Sequence, residues 1–172
     1  ITLTAPIPSP AKNPGSALRS RLFHRILVAV DDSKQASWAL DVAAELSVEL
    51  SAQLALVHVI RPPVMGSAPE GMYSSPSLED AMCEEAKSLL QALTKRCPAA
   101  NPETLLRHGD PADQIIAAAD GWNADLIVIG THGRGTLARL LLGSTAEAVI
   151  RRAPCPVLTI ALPHAHLYAG HT

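Results

Sequence analysis

Apolar residues along this chain fall into two alternating kinds of run. Arg25 to Asp31 (RILVAVD), Gln53 to Ile60 (QLALVHVI), Asp125 to Ile129 and Pro156 to Ala161 (PVLTIA) are short, continuous and mostly β-branched or aliphatic. They are too short for helices and read as strands covered on both faces. Glu103 to His108 is a weaker strand of the same length class. Between these blocks the apolar positions spread out to helical spacing. Trp38, Val42, Leu46 and Leu50 recur every four residues behind N-cap chemistry at Asp32 and Ser33, which predicts a helix over 34–50 with that stripe facing inward. Leu78, Met82, Glu85, Ala86, Leu89 and Leu93 make a second amphipathic stripe, interrupted only by Glu85 and ending near Cys97-Pro98. GDPAD at 109–113 turns into a third helix with Pro111 in its first turn, where the missing N–H costs little. A last helix covers Ala146 to Arg152.

The remaining stretches lack either period. Residues 1–22, rich in Pro, Ser and Ala, are expected to be a disordered leader, and 163–172 a flexible tail, leaving a single domain over 23–162. RPPVMGSAPEGMYSSPS at 61–77 is full of breakers and longer than most connections, which fits a mobile lid or plain disorder. Prolines on both sides of the final strand place it at a sheet edge.

Buried strands alternating with helices imply a parallel sheet wound on both faces through right-handed crossovers. In such sheets ligands sit beyond the carboxyl ends of the strands, where the winding reverses. That geometry singles out Asp31, His58 to Ile60 and GTHGRGTLARLLLGST at 130–145. The glycine-rich run has neither GxGxxG nor GxxxxGK[ST], so it is not one of the two common phosphate loops. Gly130 and Gly133 bracket two residues, nine residues follow, and Gly143-Ser144 opens the last helix. If the excursion folds back, both glycine pairs frame one concavity at a helix N-terminus, a seat for phosphates. A plainer reading is available, because Ser144 followed by Glu147 is a capping box that any helix can use. Asp31 adds weight to the ligand reading, since a carboxylate at the end of the first strand can accept hydrogen bonds from two ribose hydroxyls; it can also simply stabilise a helix start.

Composition narrows the field further. The 172 residues carry a formal charge of −2 and only 3% aromatic residues, a poor match for a phosphate-backbone binder or a base-stacking platform. Cys83, Cys97 and Cys155 are odd in number and lack CxxC spacing, which argues against a disulfide framework or zinc site and fits a reducing cytoplasm. No apolar run approaches the ~20 residues of a membrane helix. With 48% hydrophobic residues the chain can bury one substantial core.

VAVDDS at 28–33, LVHVI at 56–60, GDPADQII at 109–116 and ADLIVIGTHGRGTLARLLLGSTAEAVIRRAPCPVLTI at 124–160 together resemble the universal stress protein family, over residues 25–161. The order Gly, two residues, Gly, nine residues, Gly, then Ser or Thr is that family's ATP-binding signature. The resemblance implies a Rossmann-like α/β fold with a five-stranded parallel sheet, order 3-2-1-4-5, and helices on both faces. It implies that Asp31 holds the ribose, that Ala29 and Val30 border the nucleoside and that Val59 meets adenine. Ile129 and Gly130 would line the site, while Gly133, Gly143, Ser144 and Thr145 hold the phosphates. His132 and Arg134 lie in the same excursion and could touch phosphate. The ligand would be ATP, or AMP or ADP, with Mg²⁺ on the phosphates, held as a regulatory or conformational ligand. Two alternatives stand beside this: a slow ATPase or phosphotransferase, and an interaction module that binds no nucleotide. No catalytic constellation is visible; His58, inside a strand, reads as a hydrogen-bonded structural residue. The resemblance also implies a homodimer through the last strand, with Val157, Leu158, Thr159 and Ile160 at the interface, and neither nucleic acid nor membrane as a partner.

Overall fold

A computed structural model describes residues 23–61, 76–131 and 143–161. The segments expected to be a leader and a tail, most of the 61–77 connection and the 132–142 excursion lie outside the described residues. In chain order the elements are β1 (Arg25–Ala29), α1 (Lys34–Leu50), β2 (Gln53–Ile60), α2 (Pro76–Arg96), a single 3-10 turn (Pro98–Ala100), β3 (Glu103–His108), α3 (Pro111–Gly121), β4 (Leu126–Gly130), α4 (Ser144–Arg152) and β5 (Val157–Ile160). All strand pairs are parallel, in the order β3-β2-β1-β4-β5. The sheet is therefore the doubly wound one that the alternation predicts, with β5 at an edge.

The central strands are buried on both faces, and successive residues feed two separate cores. Ile26, Val28, Leu54, Leu56, Leu126 and Val128 face α1 and α2, where they meet Ala39, Leu40, Ala43, Leu90 and Leu93. Leu27, Ala29, Ala55, Val57, Ile127 and Ile129 face α3 and α4, where they meet Ile115, Ala118, Ala119, Ala146 and Val149. Such two-sided burial is why these strands read as unbroken apolar runs.

The helix over 34–50 turns a different face inward from the expected one. Trp38 is 43% exposed, whereas Ala36, Ala39, Leu40, Ala43 and Ser47 are buried. A step of four residues advances about 400° around a helix, so a strict four-residue stripe drifts by about 120° over 38–50 and cannot stay on one plane. The set 36, 39, 40, 43 and 47 follows the true period. Its small side chains let the backbone lie close to the sheet. Similarly, in α2 the buried residues are Ala86, Leu90 and Leu93, while Leu78 is exposed.

Two local devices fix the connections near the sheet's carboxyl edge. Gly109 has φ of +130° and donates its N–H to Ile60 O at 3.0 Å, a conformation that side chains disfavour. Asp110 then caps α3, its Oδ1 accepting from the N–H groups of Ala112 and Asp113, with Pro111 as the first helical residue as expected. At the opposite edge, Asp125 accepts from the N–H groups of His24 and Arg25, and the Arg25 guanidinium lies 4.1 Å over the Trp122 ring. These contacts hold the start of β1 to β4 and leave the other edge free for a site.

Candidate functional site

Strand order reverses between β1 and β4, and their carboxyl ends open onto a cavity of about 670 Å³, within the range typical of small-ligand sites. Ala29, Val30, Asp31, Val59, Ile129, Gly130, Gly143, Ser144 and Thr145 all line it. Nine of the residues singled out for the ligand thus come together. His132, Gly133 and Arg134 lie outside the described residues.

Asp31 leaves β1 just ahead of α1, and its Oδ1 accepts the N–H of Ser33 at 2.9 Å. Ser33 is the true N-cap of α1, its Oγ accepting from Ala36 N. The structural use of Asp31 therefore occupies one carboxylate oxygen. Oδ2 accepts no hydrogen bond among the described residues, and Asp31 lines the cavity.

At the other side of the crevice, the two ends of the 132–142 excursion meet, as the glycine spacing predicts. Gly143 N–H donates to Thr131 O at 2.7 Å, and Thr131 N–H donates to Ile160 O at 2.9 Å. The capping box is not formed. Gly143 is the N-cap of α4, Ser144 is already helical, and no side chain caps this end. Glu147 reaches forward to Arg151 at 2.9 Å instead of back. A first turn has no intrahelical acceptors for its N–H groups, so those of Ser144, Thr145 and Ala146 are left at a cavity that all three residues line. A helix N-terminus of this kind attracts anions.

Gly130 has a packing reason as well as a place in the cavity. A Cβ there would stand 3.0 Å from Gln35 Cβ and 3.1 Å from the Gln35 backbone carbon. The glycine thus lets the end of β4 touch the start of α1. His58 is held by its own strand neighbour, Nδ1 lying 2.8 Å from Val30 O. Since a carbonyl only accepts, Nδ1 carries the proton, and the structural reading of this histidine holds.

Three charged residues of the site escaped the sequence reading: Asp32, expected only to supply N-cap chemistry, Arg61 and Glu85. Arg61, the residue after β2, donates from Nη2 to Thr145 Oγ1 at 3.1 Å and is the one Lys or Arg among the described lining residues. Its placement at a strand's carboxyl end was the available signal. Glu85 lines the cavity from α2 together with Met82, Ala86 and Leu89. Its interruption of an apolar stripe marked it, but only the fold shows what it faces. A smaller adjoining cavity of about 450 Å³ shares Arg61, Pro111, Ser144 and Thr145 and extends to Asp110 and Arg152. The arrangement offers an apolar wall, a carboxylate acceptor and a cationic, amide-rich end.

Residues 22–161 match the family described as the universal stress protein family. This chain belongs to that family. A universal stress protein of Thermus aquaticus is 36% identical over 145 residues, covering 81% of this chain and 99% of its own. Among solved structures, the universal stress protein from Archaeoglobus fulgidus in complex with dAMP aligns at a TM-score of 0.58 and 28% identity, covering 80% of this chain and 97% of its own. A universal stress protein in complex with cAMP aligns at a TM-score of 0.61 and 26% identity, covering 80% of this chain and 96% of its own. No helix among the described residues of this universal stress protein is long and apolar enough to cross a membrane.

Proposed function

We propose that this universal stress protein binds an adenine nucleotide, ATP with Mg²⁺, as a regulatory ligand and not as a rapidly consumed substrate. The observation that carries this reading is one cavity lined by the carboxylate residue Asp31, an apolar wall and the uncapped N-terminus of α4. Asp31 accepts from the ribose hydroxyls, with the backbone of Ala29 and Val30 beside the nucleoside and Val59 against adenine. Ile129 and Gly130 line the floor. Gly143, Ser144 and Thr145 hold phosphate oxygens through N–H and hydroxyl donors, with Gly133, His132 and Arg134 completing the cradle. Arg61 adds a positive charge next to Thr145, where a charge-assisted contact to phosphate is favourable. The dAMP and cAMP complexes of the related proteins support the choice of an adenine ligand. The glycine spacing supports ATP among such ligands. Mg²⁺ would ride on the phosphates, since this ion is usually held by substrate phosphates and water with one or two carboxylates.

Mass spectrometry of small molecules released on denaturing the purified protein, followed by calorimetric titration of the emptied protein, tests the reading. Release of an adenine nucleotide and one-to-one binding of ATP are expected, with hydrolysis in Mg²⁺ no faster than in a Gly143→Val variant. An absence of heat with ATP, AMP and cAMP alike would overturn it.

The same chain is proposed to form a homodimer through β5, using Val157, Leu158, Thr159 and Ile160. Ile127 N–H and Thr131 N–H donate to Pro156 O and Ile160 O, so alternate residues of β5 bond to β4. By the alternation of a strand, Val157 and Thr159 turn their N–H and C=O groups away from the sheet, ready for a second copy. Leu158 and Ile160 also pack on the α1 side of the core, so replacing them would disturb the monomer. Thr159→Pro removes one outward donor and spares those contacts. Sedimentation equilibrium should find a dimer for the unmodified protein and a folded monomer for this variant; a monomer for both would end the proposal.

A further inference from the structure

We propose that Cys83 is a reactive thiol, activated by His108, that exchanges with low-molecular-weight disulfides of the glutathione type. The two residues are 25 apart in sequence, Cys83 on α2 and His108 at the carboxyl end of β3, yet Cys83 Sγ lies 3.8 Å from His108 Nε2. That is hydrogen-bond distance for sulfur. Cys83 is half-buried and His108 exposed, so a small disulfide can reach the sulfur while the ring stays beside it. An imidazole in this position serves a cysteine as its base. The thiol proton passes to Nε2, and the thiolate attacks one sulfur of the incoming disulfide. The Cys83 S–S bond forms as the disulfide's own bond breaks. The departing thiolate then takes the proton from the imidazolium, so the incoming disulfide is the only oxidant needed.

The other two cysteines provide the contrast. Cys97 is 7% exposed and its thiol donates to Leu93 O, and Cys155 packs against the core on the α4 side. Neither has an imidazole partner among the described residues, and burial pushes both thiols up. Reactivity should therefore single out Cys83. Cys83 also follows Met82, which lines the cavity, so an adduct would stand one residue from that wall.

The test uses the full chain, freed of reductant and incubated with excess oxidised glutathione, with adducts at each cysteine timed by peptide mass spectrometry. Cys83 is expected to react at least about tenfold faster than Cys97 or Cys155, and His108→Asn to slow Cys83 by about tenfold. The rate at Cys155 in the same molecules should not change, which reports an intact fold; His108→Gln replaces the asparagine variant if that one does not fold. Equal rates at Cys83 and Cys155, or a Cys83 rate indifferent to both His108 substitutions, would overturn the proposal.

Discussion

Asp31→Ala is expected to weaken ATP binding by roughly tenfold to a hundredfold, the loss of one charge-assisted hydrogen-bonding group worth roughly 1.5–3 kcal/mol. The carboxylate has two separable duties. Oδ1 accepts the Ser33 N–H at the start of α1, while Oδ2 has no acceptor role among the described residues and is left for a ligand in the cavity that Asp31 lines. Alanine removes both, whereas Asp31→Asn keeps an oxygen for Ser33 and removes the charge. If the ribose is the partner, the asparagine variant should retain thermal stability and still lose ATP affinity. A second ligand isolates the contact: 2′,3′-dideoxy-ATP lacks both hydroxyls, so the unmodified protein and Asp31→Ala should bind it equally well, closing a double-mutant cycle. Calorimetry with the four combinations measures this. Unchanged ATP affinity in Asp31→Ala would falsify the ribose assignment.

How legible the fold was depends on which physical signal each element carried. Strands buried on both faces announce themselves as unbroken apolar runs, and Gly109, Asp110 and Pro111 mark the start of α3 by turn and cap chemistry alone. The inward face of α1 was not legible in the same way. Trp38 and Val42 are the larger apolar residues, but a helix lying close to a sheet needs small ones, and Ala36, Ala39 and Ala43 meet that need. Hydrophobicity ranks them low even though they carry the true helical period. The capping box failed for a related reason. Ser144 and Glu147 have the right spacing, but the bond from Gly143 N–H to Thr131 O pins the chain one residue earlier, so Gly143 takes the cap position.

The site was legible where a residue's role follows from its place at a strand end. Asp31 lies two residues past β1 and Gly130 ends β4, and the topology of a doubly wound sheet brings those two strand ends together whatever the loops do. Arg61 and Glu85 depend on how α2 and the end of β2 sit against α4, which no local pattern encodes. Their arrival changes the chemistry of the cavity: Asp31, Asp32 and Glu85 supply negative charge, and Arg61 beside Thr145 concentrates the positive charge next to the α4 terminus. A ligand that is anionic at one end and neutral at the other fits that polarity better than a uniformly anionic one.

Gly143→Val should lower ATP affinity by roughly a hundredfold while changing adenosine affinity by less than about threefold, because it strikes donors that only the phosphates use. The backbone itself tolerates the change. Gly143 has φ of −61° and ψ of 146°, a conformation open to any residue, and its N–H bond to Thr131 O does not involve a side chain. Glycine is therefore not required here by the turn. What a branched side chain would do is stand at the mouth of α4, where Ser144, Thr145 and Ala146 leave their N–H groups without helical acceptors. A phosphate must come within hydrogen-bond distance of those groups, and a helix N-terminus loses its pull on an anion beyond the first turn. Adenosine has no such requirement. Calorimetry with ATP and adenosine on the same protein separates the possibilities. Equal losses for the two ligands would mean that the cavity has collapsed, and full ATP affinity would mean that the phosphates lie elsewhere.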